Sequence, residues 1–247
     1  MRANYSAIKE EFDGKARDYD ELHCRSDCIM GVNERSRRRG LTELVQGNGH
    51  LLSLGCGTGW CLDHFSRRGY SCIGVDISFE MLKQCAQRNV TVCHAYAERL
   101  PIKSMAFEHV LCSNMFQYVK DPLSFLLEVK RVMNDKGVLV FDFKNFLSLR
   151  SAGHYFIRLF RAKHGSDKEK RYTIFKIRRL AKQAGFEINQ TRGMEFHWFQ
   201  TSLNPKHKIL IKAVEVGEDL LSKTPLKFLS GRLMVSSTKM ETDRLAG

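Results

Sequence analysis

Short apolar segments alternate with longer amphipathic ones through the middle of the chain, and this alternation predicts strands and helices in turn. Strands are predicted at residues 50–55, 71–76, 90–95, 107–114 and 138–143. Helices are predicted between them at residues 58–69, 78–89 and 121–137. The last helix has Asp121 as its cap, Pro122 at its first position and Gly137 at its end. Strands that alternate with helices through short connections form a parallel, doubly wound α/β sheet with helices on both faces.

The two ends of the chain follow a different pattern. Residues 5–24 and 31–46 are predicted to be helical, and residues 146–171 form a basic amphipathic stretch. Further helices are predicted at residues 172–186 and 208–222, and further strands at residues 187–196 and 232–239. We therefore predict one Rossmann-like domain over residues 1–247, with a seven-stranded sheet that is mostly parallel and has an antiparallel last strand. The domain has three predicted parts, which are N-terminal helices (1–46), a ligand-binding core (47–145), and C-terminal strands with a substrate cap (146–247). The cap is predicted to be helical and to consist of residues 146–171 and 196–225.

A glycine-rich loop follows the first predicted strand, and an acidic residue ends the second. The loop carries Gly55, Gly57 and Gly59, and Asp76 lies 21 residues after the first of these. Such a unit points backbone N–H groups at a polar ligand, and the carboxylate accepts hydrogen bonds from two ribose hydroxyls. NAD and S-adenosylmethionine sites share these features, but the dinucleotide pattern G-x-G-x-x-G needs glycine where this chain has Trp60. The loop therefore favours S-adenosylmethionine, with a plain strand–helix turn as the alternative.

Further motifs extend this pattern in the order IKEEFDGKARDYD, LSLGCGTG, GVDIS, AERLPI, FEHVLCSNMFQYV and GVLVFDF. At this spacing the chain resembles the class I S-adenosylmethionine-dependent methyltransferases over residues 9–145, in particular the branch of ubiquinone and menaquinone biosynthesis. The resemblance implies S-adenosylmethionine as cofactor. The cofactor-binding residues that it implies are Tyr19, Gly55, Cys56, Gly57, Gly59, Asp76, Ile77, Ala97, Glu98 and Asn114.

Individual roles within this set follow from the same resemblance. It places Asp76 on the ribose hydroxyls and Asn114 near the amino group of the cofactor. Tyr19 is a candidate for contact with the cofactor carboxylate, as is Arg39 outside the set. Tyr96 stands where relatives often have an aspartate beside the adenine, so the Ala97 backbone is left to recognise the ring edge.

The catalytic residues are less clearly marked. Relatives often carry two histidines where this chain has Gln117 and Tyr118. Tyr118, His154 and His197 are the candidates to orient or deprotonate an acceptor, with ordinary packing or surface roles as the alternative. The sequence SNMFQY replaces the N-P-P-Y motif typical of enzymes that methylate nucleobase amines. A small-molecule or lipid-linked acceptor is therefore favoured over nucleic acid, with O-, N- and C-methylation all open.

The charge of the chain is uneven. The net charge is +13, with 20 Lys/Arg against 18 Asp/Glu in residues 1–145 and 20 against 9 in residues 146–247. This basic excess favours an anionic acceptor or peripheral contact with a membrane surface, and a solvated basic surface is the alternative. A second reading of the same feature is an RNA-associated methyltransferase or a non-catalytic cofactor-binding protein.

The remaining composition predicts a cytoplasmic protein without a metal site. The 8 cysteines are scattered mostly through apolar runs, which is typical of reduced thiols. His23, Cys24 and Cys28 resemble half a zinc site, but no second pair with ligand spacing follows. The charged start MRANYSAIKEEFDGKARDYD does not read as a secretory signal, and no apolar run is long enough for a membrane span.

Overall fold

The computed structural model describes residues 5–24, 29–148, 169–196 and 208–240. The strands in this part of the chain are β1 (His50–Leu54), β2 (Ser71–Asp76), β3 (Thr91–His94), β4 (Phe107–Cys112), β5 (Met133–Lys144), β6 (Phe186–Met194) and β7 (Arg232–Lys239). The helices are α1 (Ser6–Lys15), α2 (Tyr19–Cys24), α3 (Ile29–Leu44), α4 (Trp60–Ser66), α5 (Phe79–Ala86), α6 (Pro122–Val132), α7 (Ile174–Ala184) and α8 (Lys208–Ser222). Short 3-10 turns lie at Ala16–Asp18, Phe116–Tyr118 and Pro225–Leu229.

The strands pair in the order β3-β2-β1-β4-β5-β7-β6 and form one seven-stranded sheet. Strands β1 to β5 pair in parallel, and β7 runs antiparallel to both of its neighbours. The strand order reverses between β1 and β4, so a crevice opens at the carboxyl ends of these strands. The predicted fold class is confirmed.

Alternate residues of the strands enter two hydrophobic cores, one on each face of the sheet. On β1, Leu52 joins a core that α6 and α7 cover, in which Phe125 is fully buried. Leu51 points to the opposite face and joins a core that contains Leu41 of α3 and Phe65 of α4. Both faces of the central strands are therefore buried, as expected for strands that read as continuous apolar runs.

Helix α6 ends earlier than the sequence pattern predicts. Its last residue is Val132 rather than Gly137, and β5 begins at once with Met133. Met133 is fully buried and pairs with Phe107 of β4. The carbonyl of Val132 accepts the N–H of Ala106 at 2.7 Å. The segment just before β4 therefore provides the hydrogen bond that this carbonyl would otherwise make within a longer helix. Sheet pairing therefore overrides the helical pattern beyond residue 132.

The C-terminal part agrees with the sequence where the structure describes it. Helix α7 ends at Gly185, whose φ of 81° is the left-handed conformation of a helix C-cap. Most of the predicted cap lies outside the described residues, namely 149–168 and 197–207, so the cap stays a prediction. None of the helices in the described ranges is long and apolar enough to cross a membrane.

Helix α8 packs against α3 and β6 and brings a carboxyl group into the interior. Glu218 is 3% exposed, and its Oε1 accepts the N–H of Phe196 at 3.2 Å. Ser36 of α3 also hydrogen-bonds this carboxyl group. Burial raises the pKa of Glu218 to about 7, and the negative charge of Glu195 acts in the same direction. The interior therefore favours the protonated form of this side chain.

Glu218 should make the protein less stable as the pH rises. Between pH 4.5 and about 7 the folded protein keeps a proton on Glu218 that the unfolded chain has released, so the free energy of unfolding falls with pH. Glu218→Gln should remove this contribution, which amounts to at most roughly 3 kcal/mol. Urea unfolding over this range measures the slope. Glu215→Gln, on the same helix with its carboxylate paired to Arg35 and Arg39, is the control for a change from carboxylate to amide. An unchanged slope in Glu218→Gln would contradict the assignment.

Candidate active site

A pocket opens at the carboxyl edge of the sheet, beside the reversal of strand order between β1 and β4. Tyr5, Ile8 and Phe12, at the start of the chain, form one of its walls. Eight of the ten predicted cofactor residues line it, namely Tyr19, Gly55, Gly57, Asp76, Ile77, Ala97, Glu98 and Asn114. Tyr118 lines it as well, and Cys56 lines an adjoining compartment that shares the glycine loop. The structure thus brings together residues that are far apart in sequence.

The three glycines of the loop have different surroundings. All three have positive φ, with 65° at Gly55, 53° at Gly57 and 84° at Gly59. A Cβ at Gly55 would lie 2.6 Å from Met115, and a Cβ at Gly59 would lie 2.3 Å from the sulfur of Cys85. A Cβ at Gly57 would meet no atom within 4 Å. Gly57 therefore faces open pocket space, whereas Gly59 lines neither compartment and shapes the turn into α4.

Asp76 ends β2, and its partly buried carboxylate lies beside the loop. Its Oδ2 accepts the N–H of Gly57 and its Oδ1 accepts the N–H of Ser78, each at 2.9 Å. Burial raises the pKa of Asp76, while these backbone N–H groups favour its ionised form. The Ser78 hydroxyl donates in turn to Asp13 at 2.6 Å, which ties α1 to this end of the sheet. Asp13 lies inside the IKEEFDGKARDYD motif, but the motif alone does not indicate this contact.

The pocket is also lined by a tyrosine that the sequence does not mark. The hydroxyl of Tyr5 donates to the carboxylate of Glu98 and accepts the N–H of Lys120 at 2.9 Å. Burial raises the pKa of Tyr5, and the carboxylate of Glu98 raises it further. The ring centroids of Tyr5 and Tyr96 lie 5.7 Å apart. Glu98 therefore holds the beginning of the chain against the pocket.

Asn114 follows β4 in a left-handed conformation, with φ of 55°. Its N–H donates to both carboxylate oxygens of Asp142, at 3.2 and 3.1 Å. Its side-chain Oδ1 accepts Nη2 of Arg232 at 3.0 Å and Nε2 of Gln117 at 3.1 Å. A buried network of charged and polar side chains therefore holds Asn114 in place at the pocket.

Helix α3 contributes a different arginine from the one that the sequence suggests. Arg39 pairs with Glu215 at 2.9 Å and with Asp219 at 3.3 Å, on α8 and outside both compartments. Arg37 lines the compartment next to the glycine loop, pairs with Glu34 and lies 3.7 Å from Asp142. Arg39 is thus wrong as a pocket residue.

Tyr118 belongs to a chain of polar groups at the edge of the pocket. Its hydroxyl donates to Glu169 at 2.8 Å, and the same carboxylate pairs with Lys144. Burial raises the pKa of Tyr118, and the negative charge of Glu169 raises it further. The phenol therefore stays protonated, which argues against its use as a base. The other catalytic candidates, His154 and His197, lie outside the described residues.

Among known proteins, this chain resembles methyltransferases. A methyltransferase domain family matches residues 52–141. A ubiquinone biosynthesis O-methyltransferase of Neisseria meningitidis is 24% identical over 213 residues, which are 79% of this chain and 84% of that protein.

Solved structures share the fold over nearly the whole chain. Magnesium protoporphyrin IX methyltransferase of Synechocystis, solved with bound S-adenosylhomocysteine, has a TM-score of 0.70 at 11% identity and covers 96% of this chain and 100% of its own. An S-adenosylmethionine-dependent methyltransferase of Thermotoga maritima has a TM-score of 0.67 at 18% identity, over 93% and 99% of the two chains. The domain family over residues 52–141, the relatives and the shared fold together support a class I methyltransferase that uses S-adenosylmethionine as its cofactor.

Proposed function

We propose that S-adenosylmethionine binds with its methionine part along Gly55–Gly57 and its ribose on Asp76. The observation that carries this proposal is the Asp76 carboxylate, which is partly buried at the end of β2 and is held by two backbone N–H groups. Each of its oxygens accepts one N–H and keeps a lone pair for another donor. That geometry suits the two neighbouring hydroxyls of a ribose.

The other predicted residues fit the remaining parts of the cofactor. Gly57 leaves room for a ligand against the backbone, since no atom lies within 4 Å of the position of a Cβ there. Ile77 and Ala97 offer apolar surface for the adenine. Tyr19 and Asn114 supply polar groups at the side of the pocket where the amino-acid part of the cofactor is expected.

The protein has two tasks in the reaction, which are to position the acceptor and to exclude water. The cofactor supplies a methyl group that is already activated on a sulfonium. Phe12 packs edge-on against Tyr118, with ring centroids 5.4 Å apart, and both residues line the pocket. We infer that Tyr118 orients the acceptor, because its hydrogen is donated to Glu169 and its pKa is raised.

The acceptor proposed here is a small-molecule or lipid-linked group, with oxygen as the first atom to test. The relative from Neisseria meningitidis is named as an O-methyltransferase of ubiquinone biosynthesis, and the match to it spans most of both chains. The basic excess of residues 146–247 supports an anionic acceptor or one presented at a membrane surface.

Replacing Asp76 should weaken cofactor binding without any acceptor present. Asp76→Ala removes a charged hydrogen-bond acceptor, and each such bond contributes about 1.5–3 kcal/mol. The dissociation constant for S-adenosylmethionine should rise roughly tenfold or more by calorimetry. Asp63→Ala, which removes a partly exposed carboxylate paired with Arg67 outside the pocket, should leave it unchanged. Wild-type affinity in Asp76→Ala would refute the proposed site.

Two glycine substitutions should separate binding from folding. Gly57→Ala should lower the free energy of unfolding by only about 1 kcal/mol, the cost of left-handed backbone in a residue with a side chain. It should nevertheless abolish cofactor binding, because its methyl group enters the ligand space. Gly59→Ala adds a clash with Cys85, so it should cost about 2–4 kcal/mol in stability. Denaturant unfolding and calorimetry measure the two effects, and normal binding by Gly57→Ala would contradict the placement.

The acceptor can be sought with S-adenosylmethionine that is labelled in its methyl group. Phenols with and without a polyprenyl tail, carboxylic acids, amines and RNA are incubated separately with the protein. We expect label on an oxygen of a small or lipid-linked molecule. Transfer to an amine would replace oxygen as the acceptor atom, and transfer to RNA would replace the proposed acceptor class.

A further inference from the structure

The main pocket continues past the glycine loop into the adjoining compartment, and the lining residues indicate how the cofactor extends through both. Asp76, Ile77 and Ala97, to which the proposed site assigns the adenosine, line the main pocket and not the adjoining compartment. Tyr19 and Asn114, which are expected beside the amino-acid part, line both spaces. The amino-acid half of the ligand is therefore directed toward the adjoining compartment.

One wall of the adjoining compartment is held by hydrogen bonds between α2, the glycine loop and the turn after α5. The hydroxyl of Thr58 donates to Oδ1 of Asp20 at 2.5 Å, and both residues line the compartment. Nη2 of Arg88 donates to Oδ2 of the same carboxylate, and its Nε donates to the carbonyl oxygen of Thr58 at 2.8 Å. Each pair among Asp20, Thr58 and Arg88 is thus joined by a hydrogen bond, and we call these three residues the α2 junction.

Arg88 takes part in the α2 junction from outside the ligand space, since it lines neither the main pocket nor the adjoining compartment. Its N–H donates to the carbonyl of Cys85 at 3.0 Å, and Asn89 follows with a φ of 56°, so the turn after α5 fixes its backbone. Its Cδ would lie 3.4 Å from a Cβ at Gly59, so the side chain runs along the glycine loop. The planar guanidinium then presents separate donors to the loop and to α2.

The glycine loop needs such a restraint because Thr58 lies between Gly57 and Gly59. Glycine has wide conformational freedom, and a loop that moves must lose this freedom when a ligand binds to it. The α2 junction engages both the hydroxyl and the carbonyl of Thr58, and it also joins the loop to α2. A wall that already has its bound conformation costs less free energy to order on binding.

We propose that Asp20 and Arg88 are positioning residues, which hold Thr58 and α2 in place around the amino-acid half of the bound cofactor. This inference rests on the cofactor site proposed above. It assigns a part in cofactor binding to Arg88, a residue outside the pocket, through hydrogen bonds that join three separate segments of the chain.

Two variants with opposite changes in charge test this role. Asp20→Ala removes a negative charge from the compartment wall, and Arg88→Gln removes a positive charge. Both remove hydrogen bonds of the α2 junction, so the dissociation constant for S-adenosylmethionine should rise roughly tenfold in each by calorimetry. An effect of charge alone would shift the two affinities in opposite directions. Opposite shifts, or wild-type affinity in either variant, would overturn the proposal.

A second ligand distinguishes positioning from a general loss of structure. 5′-Methylthioadenosine carries the adenosine but lacks the amino acid of the cofactor, so both variants should bind it within about twofold of the wild type. Equal weakening for the two ligands would overturn the proposal. Arg35→Gln is the matched control, because Arg35 pairs with Glu215 outside both spaces and its side chain is 33% exposed, against 31% for Arg88. This control should bind both ligands like the wild type.

A double-mutant cycle tests whether the two residues act through one junction. Asp20→Ala combined with Arg88→Gln should weaken the binding of S-adenosylmethionine by less than the product of the two single effects, because the variants share hydrogen bonds. Effects that multiply would mean that the two residues act independently, which would overturn the proposal.

The outcome for the cofactor site is read separately, because Asp76→Ala should weaken both ligands through the ribose that they share. If Asp76→Ala binds both ligands like the wild type, the proposed site itself fails. If Asp76→Ala weakens binding while the Asp20 and Arg88 variants retain wild-type affinity, the site stands and the role of the α2 junction is refuted.

Discussion

A carboxylate that is excluded from water must be surrounded by positive charge and hydrogen-bond donors, and this constraint organises the carboxyl edge of the sheet around Asp142. Asp142 is fully buried near the end of β5, where Arg232 and Arg37 approach it from β7 and α3. The antiparallel direction of β7 matters here, because it brings the first residue of that strand to this edge. Strand direction and charge pairing therefore depend on each other.

The same network determines the shape of the ligand pocket. Asn114 has a left-handed backbone that a residue with a side chain adopts at some cost in free energy. Its N–H bonds to Asp142 compensate for that cost and hold the turn after β4. The glycine loop after β1 adopts a similar conformation at little cost in free energy, because glycine tolerates positive φ. One wall of the pocket thus depends on buried charge and the other on residue type.

Local sequence pattern predicts much of the fold and the centre of the site. The bounds predicted for residues 71–76 and 232–239 match β2 and β7, because apolar periodicity and turn residues act over short distances. Gly57 and Asp76 are predicted because their spacing places them at the ends of adjacent strands. The end of α6 is not predicted, because it depends on the pairing of Met133 with Phe107, which is a tertiary contact.

The parts of the site that the sequence does not reveal are contacts between distant segments. Tyr5, Glu169 and Arg232 reach the pocket region from both ends of the chain, and nothing in their local sequence marks them. The choice between Arg37 and Arg39 depends on the direction of a helix face. Two positions along a helix differ by roughly 200° in orientation, so a motif that places α3 correctly can still select the wrong arginine.

The first helix of the chain has a thermodynamic role that follows from its anchors. Tyr5, at its start, bonds Glu98 of the pocket wall, and Asp13 bonds Ser78, which follows the pocket residues Asp76 and Ile77. Ile8 and Phe12 line the pocket as well, so a ligand that contacts them would link occupancy of the pocket to docking of α1. Such linkage is reciprocal, and each event strengthens the other by the same free energy. Protection of the α1 amides from hydrogen exchange would accordingly rise as the pocket fills.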